Sequence, residues 1–140
     1  MTNKTIKTIN WLNVALSVTA LILECMPRSV ISACAIGPGE YGPLHYWSYF
    51  GNPLNPVYFV TCSIALFTII NLVLNIIMLF KDKKAIRLVS FVMLFIATAL
   101  SSFIMPSRFV SVYNIIILII FILQVVGQII KLGITERMKK

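Results

Sequence analysis

The amino-acid sequence predicts an all-α polytopic membrane protein, folded as an antiparallel up-down four-helix transmembrane bundle. Three observations lead to this fold class: an apolar composition, four long apolar runs, and clusters of basic residues between those runs. Of the 140 residues, 59% are hydrophobic and 11% are charged, against about 25% charged in an ordinary soluble domain. The mean hydropathy is +0.95. A chain of this length cannot bury so much apolar surface in a soluble core, so one transmembrane domain over residues 1–140 is expected.

Four apolar runs are long enough to cross about 30 Å of hydrocarbon, which takes roughly 20 helical residues. They cover about residues 9–25, 57–80, 86–105 and 109–130. Each run must be helical within lipid, because an unpaired backbone group there is very costly. The second and third connections have only a few residues, so the helices that they join must be antiparallel neighbours. The first connection is a long loop over about residues 26–56, predicted to lie on the outer side.

The basic residues are distributed unequally among the connections, and this predicts the direction of the helices. Most lie at the N-terminus, in the second connection or in the C-terminal tail; they are Lys4, Lys7, Lys81, Lys83, Lys84, Arg87, Lys131, Arg137, Lys139 and Lys140. The first and third connections carry one each, Arg28 and Arg108. Because cytoplasmic connections carry the excess of basic residues, both termini are predicted to be cytoplasmic, in the plasma membrane. The net charge of +8 is divided among short clusters, which argues against nucleic acid as a partner.

The first apolar run also has features of a cleavable signal sequence, because basic residues precede it. "ISAC" at residues 31–34 resembles a bacterial lipobox, and "ACA" at residues 33–35 has the A-x-A form of a cleavage site. Glu24, Pro27 and Arg28 lie between the run and both sites, where cleavable signals seldom carry charges. An uncleaved first helix is therefore the favoured interpretation, and the two cleavage alternatives stay open.

Polar residues inside the spans are predicted to form one buried layer. Each of three spans carries a pair of polar residues spaced by four, which places both members on one helix face. The pairs are Asn13 with Ser17, Asn71 with Asn75, and Gln124 with Gln128. The favoured interpretation is a set of hydrogen bonds between helices, each worth ~0.6 kcal/mol on average. The alternative is a polar cavity, open from the cytoplasm, for a small solute or ion.

Charged residues are predicted to lie only at the ends of the spans. No charged residue is near the centre of a span, which counts against a proton-coupled transporter. Glu24 lies at the outer end of the first span, and its spacing of four from Arg28 predicts an ion pair at the helix end.

The outer side offers few candidate ligands for a reactive site. His45 is the only histidine of the chain, and no metal-binding or C-x-x-C spacing is present. We therefore expect no catalytic, cofactor-binding or metal-ligating residues, no cofactor, and no enzymatic activity. Cys25 and Cys34 are expected either to form a disulfide in an oxidising exterior or to remain free thiols.

The long loop contains "GPGEYGPLHYWSYFGNPLNP" at residues 37–56, in which Gly and Pro residues predict successive turns. Aromatic residues with polar tips favour the membrane interface. An outer interfacial belt is therefore predicted, formed by Tyr46, Trp47, Tyr49 and Phe50. The alternative is that these aromatic residues form a surface for a protein partner.

The segment "YWSYFGNPLNPVYFVTCSIALFTI" at residues 46–69 resembles one in small four-helix membrane proteins of Gram-positive bacteria. The shared features are an aromatic S-Y-F run, a proline turn, further aromatic residues and a helix that contains threonine. The resemblance covers about one sixth of the chain. It implies a bacterial four-helix membrane protein and brings no activity with it.

These observations predict an accessory or assembly protein that acts through helix contacts in the membrane and through the long loop. Its surroundings are the lipid bilayer, and its partner is expected to be another membrane protein or a second copy of the chain. One alternative is a small-solute or ion pathway lined by the buried amides. Another is a holin-like pore former, which the small size and the basic tail favour.

Overall fold

The computed structural model describes residues 2–32, 35–38, 40–42, 44–51, 56–104 and 111–137. Within these residues the chain forms four α-helices, which are α1 (Thr2–Cys25), α2 (Pro56–Phe80), α3 (Lys84–Ile104) and α4 (Val112–Arg137). Each helix is long and apolar enough to cross a membrane. The predicted helical fold class, with four helices of membrane-spanning length, is therefore confirmed. Arg108, which was used for the orientation, lies outside the described residues.

α1 and α4 are longer than the apolar spans predicted for them. α1 begins at Thr2 and α4 continues to Arg137. Hydropathy marks only the apolar part of a helix, whereas the helical hydrogen bonds continue through the polar residues at either end. As a consequence Lys131, which was assigned to the C-terminal tail, lies within α4.

The four helices surround one interior, because each packs against two others in the order α1, α2, α3, α4 and back to α1. Large apolar side chains cover the outside of this bundle. Phe59 is 70% exposed, Phe80 is 84% exposed and Phe103 is 79% exposed. By contrast, Asn71 and Gln124 are buried. This distribution is the reverse of the one in soluble proteins, where amides are mostly exposed.

The interior has two zones. We call the end of the bundle where Lys131 contacts Asn10 the terminal end, and the end where the long loop contacts Glu24 through Tyr49 the loop end. Toward the loop end the buried side chains are mainly apolar and include Ala20, Ile64, Ala65, Leu94, Ala97, Ile117 and Phe121; we call this part of the interior the apolar zone. The alanines on α1, α2 and α3 let neighbouring helices approach closely. Toward the terminal end, polar side chains replace this apolar packing.

The long loop contains four short strands, where the sequence predicted only turns. They are β1 (Val30–Ser32), β2 (Ala35–Gly37), β3 (Glu40–Tyr41) and β4 (His45–Trp47). β1 pairs antiparallel with β4, and β2 pairs antiparallel with β3 with a shift of register. The β2 and β3 pair therefore lies between β1 and β4 along the chain. Strands of two or three residues show no alternation pattern, so only the pairing across the loop reveals them.

Candidate functional site

The hydroxyl of Ser17 on α1 is the meeting point of polar side chains from two other helices. Nε2 of Gln124 on α4 donates to Ser17 Oγ over 2.7 Å. Nδ2 of Asn71 and Nδ2 of Asn75, both on α2, point to the same oxygen over 3.4 Å and 3.5 Å. Gln124 Nε2 also donates to the backbone carbonyl of Asn13. The hydroxyl thereby connects α1 with α2 and α4.

Ser90 brings α3 into the same network. Its hydroxyl donates to Asn71 Oδ1 over 2.7 Å. Nε2 of Gln128 donates to Asn75 Oδ1 over 3.3 Å and lies 3.5 Å from Ser90 Oγ. All four helices thus contribute to one buried layer. Ser90 was not among the predicted residues. It has no amide or hydroxyl residue three or four positions away, so spacing alone did not assign it to the interior face of α3.

Asn13 lies beside the layer, and its side chain makes no hydrogen bond within it. Its Oδ1 and Nδ2 are buried and unpaired. Gly127 on α4 makes room for this side chain, since a Cβ added at Gly127 would lie 3.3 Å from Asn13 Oδ1. Of the six residues predicted for the layer, five are hydrogen-bonded to one another, and Asn13 joins them through its backbone carbonyl.

Most of the side-chain atoms of the layer that have no hydrogen-bond partner are oxygens. The side-chain carbonyl oxygens of Gln124, Gln128 and Asn13 have no hydrogen-bond partner, whereas the only unpaired amide nitrogen is that of Asn13 among the described residues of this layer. A buried unpaired oxygen is costly. Such a site suits a small molecule that donates hydrogen bonds, such as water.

A charged cluster closes the interior at the terminal end. Lys131 is completely buried, and its Nζ donates to Asn10 Oδ1 over 2.6 Å and to Asp82 Oδ1 over 3.2 Å. The same Asp82 oxygen accepts from Arg87 Nε over 2.7 Å, and Arg87 also donates to Thr135. We call Lys131, Asp82 and Arg87 the charged cluster. It connects the turn between α2 and α3 with α4.

Sequence reasoning missed this cluster, although the spacing contains a signal for it. Gln124, Gln128 and Lys131 are separated by four and three residues, which places all three on one face of α4. Lys131 was instead assigned to the C-terminal tail, because the apolar run ends just before it. Asp82 is the single acidic residue in the second connection, between three lysines.

Glu24 points into the bundle, and the ion pair predicted with Arg28 is absent. Glu24 is completely buried, and its Oε1 accepts from Thr68 Oγ1 on α2 over 2.7 Å. The Arg28 guanidinium lies over the ring of Tyr46, 5.7 Å from its centre. The prediction was wrong because α1 ends at Cys25, so Arg28 does not follow Glu24 on a helix face.

Tyr49 fastens the long loop to the ends of the helices. Its side chain is completely buried, and its hydroxyl donates to Asn114 Oδ1 on α4 over 2.8 Å. Its backbone N–H donates to the carbonyl of Glu24 over 2.9 Å, and its carbonyl accepts from Thr61 on α2. Burial, and then the nearby charge of Glu24, raises the pKa of the Tyr49 phenol. The phenol therefore remains a hydrogen-bond donor.

The four residues predicted for an interfacial belt do not share one environment. Tyr46 and Phe50 are exposed, Trp47 is half-buried against the apolar zone, and Tyr49 is completely buried. Tyr49 contacts the bundle and not its surroundings, because the chain turns back onto α1 at Glu24. Fewer of these four aromatic side chains are therefore exposed than the predicted belt requires.

Cys25, Cys62 and His45 belong to no metal-binding group in the part of the chain that the structure describes. Cys25 is exposed and Cys62 is partly buried. Cys34 lies outside the described residues, so the alternative between a disulfide and free thiols stays a prediction. Among the described residues, no group of three or more His, Cys, Asp or Glu side chains could hold a metal ion. His45 lies beside Trp47, with 6.3 Å between ring centres.

Comparisons with family models, with curated proteins and with solved structures found no match to this chain.

The charged cluster leads to an expectation about stability. We expect Asp82→Asn to lower the free energy of unfolding by about 3 kcal/mol, because it leaves two cations without a carboxylate. Lys131→Met should cost less, because the Asp82–Arg87 pair remains and methionine fills a similar volume. Thermal unfolding in detergent measures both, with Lys84→Met on exposed Lys84 as the control. A larger loss for Lys131→Met than for Asp82→Asn would contradict this account of the cluster.

The contacts of Tyr49 lead to a second expectation, about pH. We expect Tyr49→Phe to cost about 1 kcal/mol at neutral pH, the usual value of one hydrogen bond. The raised pKa of Tyr49 means that its contribution is complete below the unfolded value of about 10 and is lost as the pH rises through the folded value. The wild-type protein should therefore lose stability above about pH 10 more steeply than Tyr49→Phe.

Thermal unfolding across this alkaline range provides the measurement. Tyr46→Phe, on the exposed tyrosine of the same loop, is the control and should retain the wild-type slope. Parallel pH profiles of wild type and Tyr49→Phe would show that the Tyr49 phenol is not linked to folding.

Proposed function

We propose that this chain is a multi-pass protein of a bacterial plasma membrane that serves as a non-enzymatic accessory or assembly protein. Its helices cross the bilayer in an up-down-up-down arrangement, with both termini in the cytoplasm. It acts through helix contacts within the membrane and through the long loop on the outer side. The partner is another membrane protein or a second copy of the chain.

The order of contacts along the helices supports the up-down arrangement. As α1 proceeds from Asn10 through Ser17 to Glu24, its partners on α2 have decreasing residue numbers; they are Met78, Asn71 and Thr68. α4 likewise places Lys131 against Asn10 and Gln124 against Ser17. Neighbouring helices with opposite numbering run in opposite directions. The terminal end then collects the basic residues, as expected for the cytoplasmic side.

The arrangement of polar and apolar side chains supports insertion into lipid. A bundle with exposed phenylalanines and buried amides would expose a large apolar surface to water. In a bilayer the same surface contacts hydrocarbon, and the amides are satisfied by one another in the interior.

A groove beside the long loop is the observation that carries the assembly function. It has a volume of about 500 Å³ and is lined by Phe50, Phe59, Cys62, Ser63, Leu66 and Ile69. Phe50 comes from the loop and the other residues from α2, so loop and helix form one concave surface. Tyr49 holds the loop next to this groove through contacts with α1, α2 and α4. A concave apolar surface on a fixed support suits a side chain of a partner helix.

Site-specific photocrosslinking in intact cells tests the assembly function. We expect a photoreactive phenylalanine analogue at position 59, in the groove, to capture one discrete protein. The same analogue at position 103, which replaces an equally exposed phenylalanine of α3, is the matched control and should capture none. Coexpression of a differently tagged copy tells a homo-oligomer from a second protein. Capture of lipid alone at both positions, or equal protein capture at both, would contradict the proposal.

A small-solute or ion pathway is the second candidate, favoured by the unpaired oxygens of the amide layer. The apolar zone lies on one side of this layer, and the charged cluster lies on the other. A solute could therefore pass only if the helices separated at both the apolar zone and the charged cluster. Because the layer offers acceptors, the expected solute is one that donates hydrogen bonds.

Flux into proteoliposomes tests this second candidate. We expect Asn71→Leu and Gln124→Leu to abolish the uptake of a small neutral solute or a monovalent cation. Leu123→Ala, next to Gln124 on the exposed face of α4, should leave the flux unchanged. If wild-type vesicles show no flux, or if all three variants behave alike, the amide layer is not a pathway.

A further inference from the structure

The carboxyl group of Glu24 is isolated from every other charge that the structure describes. It is completely buried, and only one of its two oxygens has a partner, the hydroxyl of Thr68. Its Oε2 is buried and unpaired. A carboxylate without a countercharge in such a place is very costly, because neither water nor a protein cation replaces its hydration.

Among the residues that the structure describes, no neighbouring element offers Glu24 a cation. α3 and α4 contribute Leu94, Ala97, Ile117 and Phe121 to the apolar zone. The buried cations of these two helices, Arg87 and Lys131, belong to the charged cluster at the opposite end. Arg28, beyond the end of α1, lies over Tyr46. The long loop contributes Tyr49, whose hydroxyl donates to Asn114.

Tyr49 also separates this carboxyl group from the loop side. Its backbone N–H is bonded to the carbonyl of Glu24, and its ring is completely buried at the end of the bundle. The Glu24 carboxyl group is therefore enclosed. Its Oε1 accepts from the Thr68 hydroxyl, and its Oε2 has no hydrogen-bond partner.

We propose that Glu24 binds a proton in the folded protein, on the carboxyl oxygen that has no hydrogen-bond partner. A proton neutralises the carboxylate and needs no cavity, whereas an alkali metal ion requires more oxygen ligands than the Glu24 carboxyl group and the Thr68 hydroxyl supply. The hydroxyl of Thr68 donates to the other carboxyl oxygen. An ionisable residue inside a membrane bundle commonly marks a binding site for protons or ions.

Carbodiimide labelling tests whether the Glu24 carboxyl group is protonated. A hydrophobic carbodiimide adds a protonated carboxyl group across its C=N bond, so the purified protein in detergent should gain one adduct at Glu24. Peptide mass analysis locates the adduct. We expect labelling to fall as the pH is raised and to be indifferent to salt. Protection of Glu24 by Na⁺ or K⁺ at constant pH, without protection by choline, would show that the ligand is a metal ion and would overturn the proposal.

Thermal stability in the same detergent gives an independent readout, because a ligand that binds only the folded protein raises its melting temperature. We expect wild type to be stabilised by mild acid. Glu24→Gln replaces the carboxylate by a neutral group of the same shape, so its melting temperature should lack this gain. Thr68→Val should weaken the response. Glu40→Gln, on the exposed glutamate of the loop, is the control and should behave as wild type.

A second result would also overturn the proposal. It is a wild-type melting temperature that changes with pH in the same way as that of Glu24→Gln, which would show that Glu24 takes up no proton on folding.

Discussion

The bundle depends on one physical constraint: amide and hydroxyl groups buried among four apolar helices must satisfy one another. Ser17 is the centre of this arrangement, since its hydroxyl receives contacts from α2 and α4. Ser90 completes the ring from α3. Each such bond contributes only about 0.6 kcal/mol on average, so the layer stabilises modestly. Its larger effect is on specificity, because rotating any one helix would leave several polar groups unpaired in an apolar interior.

The two ends of the interior differ in character, and this difference bears on both proposals. At the terminal end, a carboxylate between two cations closes the bundle. At the loop end, apolar packing surrounds a lone carboxyl group, and Tyr49 covers it. The same tyrosine positions the loop beside the groove on α2. A conformational change that releases Tyr49 would therefore alter the groove and the access to Glu24 together.

The four helices could be predicted from the sequence because membrane-spanning length and hydropathy are local properties of the chain. The buried amides were also predicted, since a spacing of four determines which residues share a face. Lys131 could have been added by the same rule, had the span been continued past its apolar part. Ser90 and Thr68 could not, because a single hydroxyl residue in a helix bonds to its own backbone as readily as to a neighbour.

By itself the sequence determined the number and the apolar character of the helices, because these follow from the order of residues along one dimension. Only the tertiary structure decided which way each helix faces. That rotation buries Glu24 against Thr68 and away from Arg28, and it places Lys131 next to Asn10. The pairing of the short strands and the burial of Tyr49 were likewise decided only by the tertiary structure. They depend on contacts between residues far apart in the chain, which no local pattern encodes.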